Sequence, residues 1–188
     1  GGVLVAQGDR VLFRQVYGKA DYQNDVPLTL DTRFRLASVS KQFTAAAILK
    51  LQDEGVLDVR DPVCRWIDPC PAAWAPVRIH HLLSHTSGIP DLMARPGWGA
   101  RRITPATLTE LTTDSTAYAL QFAPGTKVRY SNAGYNLAAA IVEKASGQPF
   151  EAFLKTRLFD PLDMADTGLG EAAGLARGHA NLPGGLAG

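Results

Sequence analysis

Ser38 and Lys41, separated by Val39-Ser40 and running straight into the apolar stretch Gln42 to Leu51, place a hydroxyl and an amine one helical turn apart at a helix start. As i and i+3 neighbours they share one helix face, which is the layout of a serine nucleophile with a built-in base. The orphan N–H groups and positive dipole end of such a helix favour an alkoxide or oxyanion developing at Ser38. Desolvation of the amine against Phe43, Ala45, Ala46, Ala47 and Ile48 would favour its neutral, proton-accepting form. The tetrapeptide alone is cheap. With 7 serines and 6 lysines in 188 positions, chance supplies roughly 0.2 such matches, and an N-cap serine with a solvated first-turn lysine explains it equally well.

A proton-transfer partner is needed, and Tyr130-Ser131-Asn132 offers one. A phenol and a carboxamide stand two residues apart between the extended-looking Thr126 to Arg129 and the apolar stretch Ala133 to Ala145. Tyrosine can relay a proton, and asparagine can both donate and accept, so together they can serve a leaving group and hold a substrate amide. The plainer alternative makes Asn132 an N-cap and Tyr130 a strand-end core aromatic. A second match, Tyr22-Gln23-Asn24, precedes the serine among Asp21, Asp25 and Pro27 and reads as a plain loop.

The elements that must position these groups follow from pattern and punctuation. Val3 to Ala6 and Val11 to Tyr17, joined by Gln7-Gly8-Asp9-Arg10, read as an antiparallel hairpin turning at Gly8-Asp9. Residues 32–37 read as a third strand of the same sheet, and helices are expected over about 39–54, 77–84, 105–112, 133–145 and 149–158. Gly55 and Gly147 follow helix ends as caps, and Thr104-Pro105 reads as a cap followed by a first-turn proline. The expected architecture is α/β of the α+β kind, an antiparallel sheet packed with helices plus a helical layer, with Ser38 at the junction.

Order and context then carry a resemblance. Phe34-Arg35-Leu36-Ala37-Ser38-Val39-Ser40-Lys41-Gln42-Phe43, then His81-Leu82-Leu83-Ser84-His85-Thr86-Ser87-Gly88-Ile89-Pro90, then Pro124-Gly125-Thr126 to Tyr130-Ser131-Asn132-Ala133-Gly134-Tyr135 resemble the serine β-lactamase-related family. That family takes in class C β-lactamases, D-alanyl-D-alanine carboxypeptidases and β-lactamase-like serine esterases. The resemblance implies a β-lactamase/transpeptidase-like fold. It also implies Ser38 as the acylated nucleophile, Lys41 as its base partner, Tyr130 as a second proton-transfer group and Asn132 as a contact to substrate and to Lys41. Serine at position 131 looks more like the carboxypeptidase and esterase branches than class C.

The resemblance also implies a third motif, Lys-Thr-Gly or His-x-Gly, on a strand beside the serine, and neither occurs in these residues. The expectation is therefore of a partial domain: a sheet part over 1–37, a helical part over about 38–167 and a Gly-rich tail over 168–188. Expressed alone it should turn over little, since losing one oxyanion donor typically costs about 10² to 10³ in rate. The tail holds seven glycines and reads either as flexible or as ordered by a further segment.

Composition bounds the rest. At 46% hydrophobic and 20% charged the chain can bury a sizeable core, and a net charge of +1 makes no electrostatic case for nucleic acid. Arg95, Arg101 and Arg102 read as a solvated loop face or a rim for anionic substrates. No apolar run approaches the roughly 18 residues of a membrane span. His81 and His85 lack the glutamate and third ligand of a metal site, and a helix end turning through Ser87-Gly88 explains them better. No cofactor or metal is expected. Cys64 and Cys70 bracket Arg65 to Pro69 and are either a short disulfide or two buried thiols; the disulfide, with export to the periplasm or beyond, is the expectation. Two function classes stay open. One is a serine hydrolase acting on a D-Ala-D-Ala peptide, a β-lactam or a short-chain ester, and the other is a non-hydrolytic penicillin- or peptide-binding sensor.

Overall fold

Gly8, at φ 57°, lets the chain reverse where a Cβ would be strained, and Gly2–Gln7 (β1) and Arg10–Val16 (β2) pair antiparallel on either side of it. A register shift between Val5 and Ala6 marks a bulge. The computed structural model describes residues 1–94, 98, 105–178, 180–182 and 185–187. Lys19–Asp21 (β3) and Val26–Pro27 (β4) form a second, short hairpin. Its turn is built by Asp21, whose Oδ1 accepts from the N–H groups of Gln23 and Asn24, so the Tyr22-Gln23-Asn24 match is a loop.

Residues 32–37 depart from the expected third strand. Arg33 makes one isolated parallel bridge to Leu175, donating to the Gly174 carbonyl and accepting from the Ala176 N–H. Phe34 and Leu36 stay exposed, and among the described residues no sheet runs along the segment. The described strands make three separate two-stranded antiparallel sheets, the last from Ala180–Leu182 (β5) and Gly185–Ala187 (β6). Residues 1–37 group with 169–188 as one compact unit, and Ser38 opens a second that runs to Gly168.

The second unit is helical. Lys41–Asp53 (α1), Ile79–Leu83 (α2), Leu108–Thr116 (α3), Asn132–Ser146 (α4) and Phe150–Leu154 (α5) follow the expected order with shifted ends. α4 is the hub, packing against each of the other four. Ala133, Leu137, Ala138, Ile141 and Val142 recur at helical spacing along it and are fully buried. Ile48 and Leu51 of α1, Ile79 and Leu82 of α2, and Phe153 of α5 close the core around that stripe.

Helix ends explain the boundary shifts. α3 starts three residues later than expected because Thr107 caps it. Its hydroxyl accepts from the Glu110 N–H while the Glu110 carboxylate accepts from the Thr107 N–H. Thr107-Leu108-Thr109-Glu110 is a capping box readable in the sequence. The expected cap at Thr104 lies outside the described residues, as do Arg95, Arg101 and Arg102. Gly147 ends α4 in left-handed geometry at φ 68°, and Gly55 at φ 72° follows α1, both as the sequence indicates. After α5 the chain passes into one wide π turn over Lys155–Phe159. Cys64 and Cys70 are joined in a disulfide. Among the described residues no helix is long and apolar enough to cross a membrane.

Candidate active site

Ser38 lies not in the α-helix itself but in the 3₁₀ turn Ala37–Ser40 that leads into it, and Lys41 is the first α-helical residue. The 3₁₀ geometry brings i and i+3 side chains nearly into line, so the spacing in the sequence becomes a direct contact: Lys41 Nζ donates to Ser38 Oγ at 3.4 Å. Ala37 is held at φ 46°. For a residue with a Cβ this costs on the order of 1–2 kcal/mol, and it sits one residue before the exposed Ser38.

Tyr130 and Asn132 arrive from more than ninety residues downstream. Tyr130 Oη and Ser38 Oγ share a hydrogen bond of 2.7 Å, and Lys41 Nζ donates to Asn132 Oδ1 at 2.7 Å. The cap of α4 is Ser131, not Asn132: Ser131 Oγ accepts from the Gly134 N–H. Asn132 is thereby the first helical residue, and its carboxamide is free to face Lys41. Four sequence-predicted residues, Ser38, Lys41, Tyr130 and Asn132, are thus brought to one point.

The surroundings of Lys41 differ from those expected. Phe43 packs edge-on to Phe159 with ring centres 5.3 Å apart, and Ala47 and Ile48 belong to the core. The ammonium instead faces two tyrosine rings, Tyr130 at 4.8 Å and Tyr135 at 5.6 Å, a cation–π arrangement. The Tyr130 phenol is in turn held below its ordinary range, first by its hydrogen-bonding interaction with Lys41 and then by that with Ser38. A hydroxyl, an amine and a phenol whose pKa is lowered, all within hydrogen-bond reach, can pass a proton among themselves.

Two further residues stand against this group, and neither was singled out from the sequence for it. His85, read as part of a helix end, adopts φ 58° just past α2, and its Nδ1 accepts the Ser131 N–H at 3.2 Å. Its ring packs against Tyr130 at 4.5 Å and Tyr135 at 5.3 Å. Burial first, and the charge of Lys41 second, push its pKa down, with Asp91 opposing. The other is Asp91, whose carboxylate accepts from the side chain and the backbone N–H of Asn132. His81 takes a separate role, its Nδ1 accepting the Arg78 N–H at the start of α2. Among the described residues no group of three or more His, Cys, Asp or Glu is placed to hold a metal. The only sequence signal for His85 and Asp91 was their place in the stretch His81 to Pro90 and just beyond it.

The loop that carries Tyr130 is tied to the one that carries His85. Arg129 N–H donates to the His85 carbonyl, Gly125 N–H to that of Thr86 and Gln121 N–H to that of Gly88. The close approach at Gly88 demands glycine, because a Cβ there would lie 2.2 Å from the Phe122 carbonyl oxygen, and φ is 78°. Tyr135 donates to the Leu83 carbonyl at 2.9 Å, anchoring α4 to the end of α2.

Residues 1–187 match the protein family described as Beta-lactamase. A penicillin-binding protein of Bacillus subtilis is 38% identical over 169 residues, a match covering 89% of this chain and 37% of that protein. An esterase, EstB of Burkholderia gladioli, is 36% identical over 179 residues, covering 88% of this chain and 45% of its own length. The chain therefore spans less than half the length of these relatives. Among solved structures, a penicillin-binding protein from Bacillus halodurans superposes with a TM-score of 0.86 at 30% identity, covering 99% of this chain and 60% of that one.

Proposed function

This chain belongs to the Beta-lactamase family, and from that premise we propose that the protein carrying it is a serine hydrolase working through an acyl-enzyme. The acyl donor is an amide or ester: a D-Ala-D-Ala peptide, a β-lactam or a short-chain ester. The observation that carries the reading is the contact of an exposed Ser38 hydroxyl with two proton-transfer groups at once, Tyr130 at 2.7 Å and Lys41 at 3.4 Å.

In the proposed reaction Ser38 Oγ attacks the carbonyl carbon and its proton passes to the Lys41–Tyr130 pair. The tetrahedral intermediate collapses, the carbonyl-to-heteroatom bond breaks, and the pair returns the proton to the departing amine or alcohol. Water then attacks the ester on Ser38 by the same route in reverse order, releasing the acid and restoring the serine. Lys41 and Tyr130 act as a pair on the Ser38 hydroxyl. Asn132, joined to Lys41 through Oδ1, keeps the amine aimed at the serine. The names of the relatives support the substrate range, since one is a penicillin-binding protein and another an esterase.

The test is covalent labelling of the protein that carries these residues with a fluorophosphonate and with a fluorescent penicillin, the adduct being located by peptide mass spectrometry. A single adduct on Ser38, abolished by Ser38→Ala, is expected. An adduct on Ser40, Ser84 or Ser131 that survives Ser38→Ala refutes the assignment. We further propose a periplasmic or secreted location, supported by the Cys64–Cys70 disulfide, since such bonds persist in oxidising compartments. Cell fractionation that recovers the protein only from the cytosol, with both thiols free, overturns it.

A further inference from the structure

Lys41, Asn132 and Asp91 form a chain of hydrogen bonds whose direction is set from its far end. Lys41 Nζ donates to Asn132 Oδ1 at 2.7 Å, and Asn132 Nδ2 donates to Asp91 Oδ2 at 3.1 Å and to Oδ1 at 3.4 Å. A primary amide has one accepting and one donating end, an ammonium only donates, and a carboxylate only accepts. With Asp91 in place, one orientation of the Asn132 amide satisfies both neighbours. Turning it over would set NH₂ against NH₃⁺ and oxygen against carboxylate.

Asp91 is itself pinned. Its Oδ1 accepts the backbone N–H of Met93 at 3.2 Å and that of Asn132 at 3.3 Å, which leaves Oδ2 facing the Asn132 amide. The residue directly follows Ile89-Pro90, a buried pair at the end of the loop that also carries His85. We propose that Asp91 is the positioning residue of the site: by fixing which end of the Asn132 amide faces inward, it presents an acceptor to Lys41 and holds the amine on Ser38. For its catalytic consequence this rests on the reading of Ser38 as the acylated residue. For its structural consequence it rests on hydrogen-bond polarity alone.

The geometry makes the isosteric change Asp91→Asn informative. An amide at position 91 can keep one oxygen on the two backbone N–H groups, so a role confined to holding the loop survives it. Its NH₂ then stands where Oδ2 was and faces the NH₂ of Asn132. Turning either amide only moves the donor–donor conflict, to Lys41 in one case and to the backbone N–H groups in the other. The exchange Asp91→Asn with Asn132→Asp removes the conflict, because the new amide donates to the new carboxylate, whose second oxygen accepts from Lys41.

The experiment measures thermal unfolding and fluorophosphonate labelling for the wild type, Asp91→Asn, Asn132→Asp and the exchanged pair. Each single change is expected to lower Tm, and the pair to recover most of the combined loss. Asp91→Asn is expected to slow labelling of Ser38 about tenfold or more, as loss of a hydrogen bond to a charged group does, with the loss in the acylation constant rather than in probe binding. The exchanged pair should regain part of it. The proposal is overturned if Asp91→Asn unfolds and labels like the wild type, or if the pair is no more stable than the sum of the single losses. Should Asp91→Asn fail to fold, a folded exchanged pair supports the proposal and an unfolded one overturns it. Recovery of Tm in the pair, with no labelling even of the wild type, refutes the reading of Ser38 and leaves the role of Asp91 toward Asn132 in place.

Discussion

Replacing Tyr130 by phenylalanine removes one oxygen and leaves the rest of the site standing. The ring keeps its place against His85, 4.5 Å away in the wild type, and the residue is 47% exposed, so the exposed hydrogen bonding that is lost costs folding only about 1 kcal/mol. For a chain of this length that shifts Tm by roughly 2–4 °C. The chemical cost is larger. General acid–base groups contribute about 10² to 10⁴ in rate, and a hydrogen bond to a charged group is worth about 1.5–3 kcal/mol, which is roughly 10- to 150-fold. The two ranges meet near 10².

Lys41 lies 3.4 Å from Ser38 Oγ and is untouched by the substitution, which keeps a second proton route open and sets the expectation at that lower end. Lys41→Ala should cost about 10² or more on the same grounds. Because the two groups act as a unit, the double variant should lose little beyond the worse single one. The assay is the rate of fluorophosphonate labelling of Ser38 under single-turnover conditions, with thermal unfolding run alongside. Labelling of Tyr130→Phe within about threefold of the wild type, a difference too small for a lost general acid or base, would refute the proton route. So would strict additivity in the double variant.

Two further expectations concern stability. Gly88→Ala forces a Cβ to within 2.2 Å of the Phe122 carbonyl at φ 78°; the left-handed backbone costs about 1–2 kcal/mol and the overpacking about 1–3 more. Urea unfolding should therefore show a loss of at least roughly 2 kcal/mol, and one below about 0.5, the range of an ordinary surface change, would contradict the close approach. Burial holds His81 and His85 below the ordinary histidine range. The unfolded chain therefore binds protons that the folded one refuses, and stability falls as pH drops from about 7 through the ordinary value near 6.5 toward the depressed folded values. Tm measured across that window should decline, and His85→Gln should flatten the decline; an unchanged slope in the variant removes His85 from the account.

Local features were legible because few residues specify them. The β1–β2 hairpin follows from two apolar runs and a glycine that can take positive φ. Gly147 caps α4 for the same reason, and the Ser38–Lys41 contact needs one turn of helix. Two helix caps lie elsewhere than expected. Thr107 with Glu110 spelled a capping box that Thr104-Pro105 obscured, and Ser131 rather than Asn132 took the cap of α4, since the hydroxyl is the better placed of two good capping groups. Residues 32–37 read as a strand, but pairing needs a neighbour along its whole length, and among the described residues only Arg33 bridges to one.

The sequence by itself determined the residue types, their order and the one-turn spacing of Ser38 and Lys41. It also determined the helical stripe that makes α4 the hub of the core. Only the tertiary structure decided that Tyr130 would meet Ser38 across a sequence separation of 92, that His85 would lie against both tyrosines, and that Asp91 would stand behind Asn132. The physical reason is one of range. Backbone preferences and i, i+3 contacts are settled within a turn or two of chain, so a short window encodes them. Which polar atoms meet from distant segments is set by how the apolar faces of α1, α2 and α4 pack, and that depends on burial summed over the whole core.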